Sequence, residues 1–193
     1  MLQLTIMKIT GYGPWTLTLG SDREHELQML QASLYQKVQE LFSKKNGLVF
    51  PNRSDEFFAV TNQISLDDHI EIQKELESKF EIKLSMSIGY GTSPFNANVL
   101  ANDGKKSNKV LSEKYSIFGS MNGKEEQNVT IMHLDVDSLT EKRKMISPYE
   151  TSSLMFKLYS RMSEFFLKKE SLTFFMGGDN FMVVSNSEHK EHA

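Results

Sequence analysis

Two short acidic motifs carry most of the chemistry this chain offers. Asp135-x-Asp137 follows the apolar run 130–134, and Gly177-Gly178-Asp179-Asn180 joins the runs 172–176 and 181–185. Carboxylate oxygens suit a hard cation such as Mg²⁺, which takes one or two carboxylates together with substrate phosphates. Two carboxylates about 4 Å apart repel by roughly 4 kcal/mol at an effective dielectric near 20, so a meeting of Asp135, Asp137 and Asp179 calls for a cation, a shared proton or solvent separation. Glycines let backbone N–H groups come close to an anion. Lys142, Arg143 and Lys144 follow within the same stretch and are candidate partners of a polyphosphate. His133, two residues before Asp135, is the candidate proton carrier, although a satisfied histidine in a sheet is the plainer reading. Each motif alone is an ordinary turn or strand end.

What joins them is topology. From the first strand, 2–9, the pattern runs through a helix with Leu27, Leu30, Leu34, Val38 and Leu41 at helical spacing, stopped at Asn46-Gly47. Ser21-x-x-Glu24 reads as its capping box. A hairpin over 48–51 and 57–61, a helix over 66–80 and a strand over 82–90 complete the order β-α-β-β-α-β. Residues 94–125 read as a short helix from Pro94 and a polar connector. In the ferredoxin-like plan, with strand order 4-1-3-2, strand 1 lies beside strand 3. The end of strand 1 therefore meets the turn that opens strand 3.

The chain also repeats itself. Thr5-Ile-Met-Lys-Ile recurs as Thr130-Ile-Met-His-Leu, 125 residues on, so Lys8 corresponds to His133. Residues 50–62 align with 174–186 at an offset of 124, so Asp55 corresponds to Asp179. The second copy shows a strand over 129–134, a capping box at Ser147-Pro148-x-Glu150 and a helix stripe of Leu154, Leu158, Met162 and Phe165. A hairpin follows, and nothing matches 66–90 of the first copy. The expected fold class is α+β: tandem ferredoxin-like (βαββαβ) palm modules with antiparallel sheets, the second incomplete. The expected division is a first module with connector over 1–125 and a second carrying the GGDN turn over 126–193. In the first copy Thr10 and Tyr12 stand where the second has Asp135 and Asp137. The adjoining Tyr12-Gly13-Pro14-Trp15-Thr16 suits either a nucleobase-stacking loop or a packed turn.

Composition narrows the classes. The 193 residues hold no Cys, which excludes disulfides, thiolate zinc sites and a cysteine nucleophile. A net charge of −3 leaves no global basic footprint for nucleic acid. No apolar run approaches the roughly 20 residues that span a bilayer. A cytoplasmic protein that acts on neither nucleic acid nor membrane is expected. His25, His69, His189 and His192 read as superficial. The uncovered edge of the second sheet predicts self-association or a partner chain that completes it.

YGPWT at 12–16, DREHELQMLQASLYQ at 22–36, GLVF at 47–50, AVTN at 59–62, SMSIG at 85–89 and GGDNFM at 177–182 together resemble archaeal GTP cyclohydrolase III. The resemblance spans almost the whole chain and implies a tandem pair of palm modules related to nucleotidyl cyclases. It implies Mg²⁺-dependent opening of the GTP imidazole ring to 2-amino-5-formylamino-6-ribosylaminopyrimidin-4(3H)-one 5′-phosphate, with release of inorganic phosphate for flavin and deazaflavin synthesis. Asp135, Asp137 and Asp179 match its metal positions, and Gly177, Gly178 and Asn180 its turn. Two alternatives stay open: a palm-type nucleotide cyclase, and a non-catalytic GTP-binding remnant.

Overall fold

Strand β1 (Leu2–Ile9) is the axis of the first sheet, because both of its edges are paired. β3 (Glu56–Val60) lies antiparallel on one side, with Thr5 opposite Ala59, and β4 (Leu84–Gly91) on the other, with Thr5 opposite Ile88. β2 (Leu48–Arg53) pairs with β3 and closes that edge. The four strands give the ferredoxin-like order expected from the sequence. The computed structural model describes residues 1–16, 23–121, 128–137 and 146–187, with Pro14, Trp15 and Arg23 described by backbone alone.

Alternation along the strands decides which face is buried, and by what. Met7 and Ile9 of β1 share a core with Leu84, Met86 and Ile88 of β4. Onto it pack Leu34, Val38, Leu41 and Phe42 of α2 (Arg23–Ser43), and Ile72 and Leu76 of α3 (Leu66–Phe80). The capping box expected at Ser21 lies outside the described residues. α3 carries one of its own: Ser65 Oγ accepts from the Asp68 N–H while Asp68 Oδ2 accepts from the Ser65 N–H.

The same helix corrects the reading of His69. That side chain is fully buried rather than superficial. Its Nδ1 lies 2.7 Å from the Ser65 carbonyl oxygen, which can only accept, so Nδ1 carries the proton. Nε2, 2.8 Å from Thr5 Oγ1, is then the acceptor of a neutral ring. Burial favours the same state by pushing the histidine pKa down. The sequence error came from Thr5, a buried polar residue of β1 that needs a partner distant in sequence.

The opposite face of β4 presents Ser85, Ser87 and Gly89, and α4 (Pro94–Lys106) lies against it through Ala97 and Ala101. A Cβ on Gly89 would run into the Ala97 carbonyl and come within 2.5 Å of the Ala101 nitrogen, so this crossing requires glycine. The segment after α4 is more than a polar connector. β5 (Val110–Ser112) and β6 (Ile117–Gly119) form a small hairpin, and β6 adds in parallel to β4, extending the order to β2-β3-β1-β4-β6-β5. Three-residue strands are too short to show a period.

The chain divides into two compact units, Met1–Thr92 with Ala97–Gln127 and Ser93–Asn96 with Asn128–Ala193. In the second, β7 (Thr130–Leu134), α5 (Pro148–Leu167), β8 (Leu172–Gly177) and β9 (Asn180–Ser185) form a three-stranded sheet ordered β7-β9-β8 with one long helix. The α5 capping box at Ser147 and Glu150 is formed as expected. The expected stripe holds at Leu158 and Met162 but not at Leu154 and Phe165. Thr151 and Met155 are buried, and Leu158, Tyr159 and Met162 pack with Phe175 and Phe181, whereas Leu154 and Phe165 are exposed. Spacings of three and four describe several faces of a Met- and Phe-rich helix equally well, and the sheet selects one of them.

Candidate active site

Pairing of β7 with β9 sets the geometry of the acidic motifs. The register ends with Leu134 opposite Phe181, so Asp135 leaves the sheet beside the turn that carries Asp179. That turn closes β8 onto β9 by pairing Gly177 with Asn180, after a register shift between Phe175 and Gly177. Gly177 and Gly178 have φ of +97° and +65°, a conformation that L side chains rarely adopt, and the space around the Gly177 Cα is open. The turn therefore requires glycine for its backbone, not to avoid a clash. Asn180 Nδ2 donates to Asp179 Oδ1 at 3.3 Å, which steadies the carboxylate at the turn's tip.

Among the described residues no group of three or more His, Asp or Glu side chains is close enough to hold a metal ion. The expected convergence of Asp135, Asp137 and Asp179 into one three-carboxylate cluster is therefore not assembled. The reason lies at the end of β7. Asp135 and Asp137 both follow the last strand residue, Leu134, and Asp137 sits in a turn, so strand alternation no longer holds the two on one face. Asp135 and Asp137 are exposed, whereas Asp179 is half-buried. What the register does bring together is the backbone of Asp135 and the turn of Asp179, from two facing strand ends. This all-oxygen donor pair, with the Asn180 amide beside it, fits the small carboxylate share that Mg²⁺ takes alongside phosphates. His133 lies in β7 opposite Met182 and is exposed. Lys142 and Arg143 lie outside the described residues.

A cleft of about 450 Å³ opens beside the turn, lined by Pro148, Thr151, Ser152, Met155, Phe156, Phe175 and Gly178. Phe156 meets Phe175 edge-to-face at 5.6 Å, and Phe175 lies 5.4 Å from Phe181, so an aromatic wall runs from the core to the surface. Thr151 and Ser152 add hydroxyl-bearing residues. Gly178 belongs both to the cleft and to the acidic turn, which makes one continuous surface of apolar wall, glycine corner and carboxylate. None of the α5 residues in this wall stood out in the sequence. The signal was available: Thr151, Met155, Leu158 and Met162 also keep helical spacing, and Phe175 lies three residues before Gly178. The N-terminus of α5 is already engaged, since Ser147 Oγ accepts from the Glu150 N–H at 3.2 Å and Glu150 Oε2 accepts from the Ser147 N–H at 2.8 Å. The Ser147 backbone N–H first, and the Ser147 side chain next, hold the Glu150 carboxyl below its ordinary pKa and keep a negative charge at that helix end.

In the first unit, YGPWT is not an open loop. Tyr12–Thr16 forms a single helical turn, α1. The Tyr12 hydroxyl accepts from Gln31 Nε2 at 2.7 Å and its ring packs against the core of α2 and α3. Thr16 Oγ1 donates to the Gly13 carbonyl at 2.8 Å. The packed-turn reading thus holds for Tyr12, while the Trp15 side chain lies outside what is described.

Comparison with known proteins sets this geometry among relatives. The family described as GTP cyclohydrolase III matches residues 1–192. GTP cyclohydrolase III of Methanothermobacter thermautotrophicus is 36% identical over 192 residues, covering 96% of this chain and 76% of that protein. GTP cyclohydrolase III of Methanobrevibacter smithii gives the same identity and coverage, and that of Methanocaldococcus jannaschii is 34% identical over 99% of this chain and 73% of its own length. Among solved structures, a bacterial light-regulated adenylyl cyclase is similar with a TM-score of 0.48 at 12% identity, over 72% of this chain and 48% of that one. A match along nearly the whole length, with the GGDN turn inside it, fixes the family: the chain belongs to GTP cyclohydrolase III.

Proposed function

We propose that the protein is a Mg²⁺-dependent GTP cyclohydrolase whose reaction centre lies at the Asp135–Asp179 edge of the second unit. The observation that carries the reading is the continuity of the Phe156–Phe175 cleft with the glycine turn that bears Asp179. An aromatic wall offers a purine a stacking surface, and Thr151 and Ser152 offer polar contacts at its edge. Gly177 and Gly178 allow backbone N–H groups to approach a phosphate where a side chain would stand in the way. Asp135 and Asp179 are the residues that would hold Mg²⁺, which when bound neutralises polyphosphate charge and increases the acidity of water. Asn180 keeps Asp179 oriented by the amide hydrogen bond already formed. Asp137, beyond the end of β7, adds negative charge near the site, and His133 is the candidate donor of the proton that ring opening requires.

The reaction consumes three waters. One adds across C8–N9 of the purine and leaves a formylamino group, and two cleave the phosphoanhydride bonds to give a 5′-monophosphate and two inorganic phosphates. Incubating the chain with GTP and Mg²⁺ and weighing the products tests this. A formylaminopyrimidine 5′-monophosphate with inorganic phosphate is expected. An intact guanine ring with pyrophosphate would reassign the chain as a nucleotide cyclase, and tight GTP binding without turnover would make it a binding module.

A further inference from the structure

At the positions that correspond to the acidic site the first unit keeps one carboxylate and gains a lysine. Thr10 stands for Asp135 and Lys8 for His133, while Asp55 remains for Asp179. Lys8 Nζ lies 3.6 Å from Asp55 Oδ2, and Arg53 Nε lies 3.7 Å from Asp55 Oδ1. Arg53 Nη2 also pairs with Glu56 Oε2 at 2.8 Å, and Asn52 Nδ2 donates to Glu56 Oε1 at 2.7 Å. Both turn carboxylates are therefore already engaged by side-chain cations of the protein.

A further cation reaches this corner from above. Lys105, in the last turn of α4, donates from Nζ to Ser85 Oγ at 2.7 Å. Ser85 stands opposite Lys8 in the β1–β4 register, as Glu56 stands opposite Lys8 in the β1–β3 register, so these side chains share one face of the sheet. No carboxylate of the described residues forms an ion pair with Lys105. Burial disfavours its charged form first, and the Lys8 charge does so next, against a smaller favourable contribution from Glu56. Lys105 nevertheless keeps an exposed flank, and 39% of the Lys8 side chain is accessible. Lys8, Arg53 and Lys105 thus meet only Asp55, which pairs with Lys8 and Arg53, and Glu56, which pairs with Arg53, so the surplus positive charge sits at Lys105 beside a serine hydroxyl.

We propose that Lys8, Lys105 and the Ser85 hydroxyl form a metal-independent binding site for a phosphate group in the first unit. Two ammonium groups and a hydroxyl suit a tetrahedral dianion with several acceptor oxygens. An anion there relieves the Lys8–Lys105 repulsion and supplies the counter-charge that Lys105 lacks. The ligand is either free inorganic phosphate or the terminal phosphate of a nucleotide. The site goes beyond the cyclohydrolase reading, since binding here needs neither Mg²⁺ nor turnover.

The test is calorimetric titration of the whole chain with inorganic phosphate, and separately with GTP, in excess EDTA. Chelation removes the metal, so a failure of the cyclohydrolase reading leaves this experiment intact. Saturable binding that weakens about tenfold or more in Lys105→Ala, and recovers in Lys105→Arg, is expected for loss of one charged hydrogen bond. Binding of phosphate itself identifies the free anion as ligand; binding of GTP alone, with the same loss in Lys105→Ala, identifies a nucleotide. Lys105 is exposed enough for the substitution to be compatible with folding, which the far-UV circular dichroism of each variant checks. Equal affinity in wild type and Lys105→Ala, or no saturable binding of either ligand in EDTA, would overturn the proposal.

Discussion

Leu134 faces Phe181 across the β7–β9 pair, and that single register position links two acidic motifs separated by more than forty residues of chain. Phe181 is fully buried and packs with Leu134, Tyr159 and Phe175, so the register is anchored by the core of the unit and not by the motifs themselves. A slip of one residue would turn Phe181 out of the core. The meeting of Asp135 with the Asp179 turn is thus held in place by hydrophobic packing.

His69 gives the first unit a pH-dependent stability whose sign is fixed by burial. In the unfolded chain it takes up a proton near 6.5, and in the folded chain its pKa is lower. The unfolded state binds the extra proton as pH falls through that range, so this contribution is complete above pH 6.5 and is lost below it. The slope from one such group is at most about 1.4 kcal/mol per pH unit. Chemical denaturation at pH 7.5 and pH 5.5 should show a smaller pH loss in His69→Gln than in the wild type. Equal losses would contradict a neutral His69.

Gly89 and Gly177 should respond to alanine for different reasons. At Gly89 the new methyl group meets the backbone of α4, and overpacking of this kind costs about 1–3 kcal/mol. At Gly177 there is room, and the cost comes from a φ of +97°, on the order of 1 kcal/mol. Urea midpoints measure both. A Gly89→Ala variant as stable as the wild type would contradict the close crossing of α4 over β4.

The cleft makes a prediction about binding without chemistry. Phe156 is 58% exposed, so truncating it should leave the fold intact while removing one face of the aromatic wall. Stacking on a base contributes about 1–3 kcal/mol, so Phe156→Ala should raise KM for GTP about tenfold with kcat little changed. Steady-state kinetics on the variant checks this, and an unchanged KM would remove the cleft from the site.

Legibility in the sequence followed the length of each signal. β1, α3, the hairpins and the β-α-β-β-α-β order were readable because apolar periods ran for several residues and ended at clear stops such as Asn46-Gly47, where Asn46 has a φ of +61°. The β5–β6 hairpin was not, since three residues define no period. His69 was misjudged because its burial depends on Thr5, distant in sequence and adjacent in space. The meeting of Asp135 with the Asp179 turn followed from topology alone, whereas the fate of Asp137 depended on where β7 stops, a boundary that alternation does not mark. The aromatic wall stayed hidden because Phe156 and Phe175 come from different elements and looked like core.

Asp179→Asn tests the central claim most directly, because it removes the charge while keeping the shape and the turn. With GTP and Mg²⁺ supplied, release of inorganic phosphate and loss of the guanine absorbance should both fall by at least about a hundredfold, at an unchanged melting temperature. Turnover at the wild-type rate would contradict the assignment of the reaction centre to the glycine turn of the second unit.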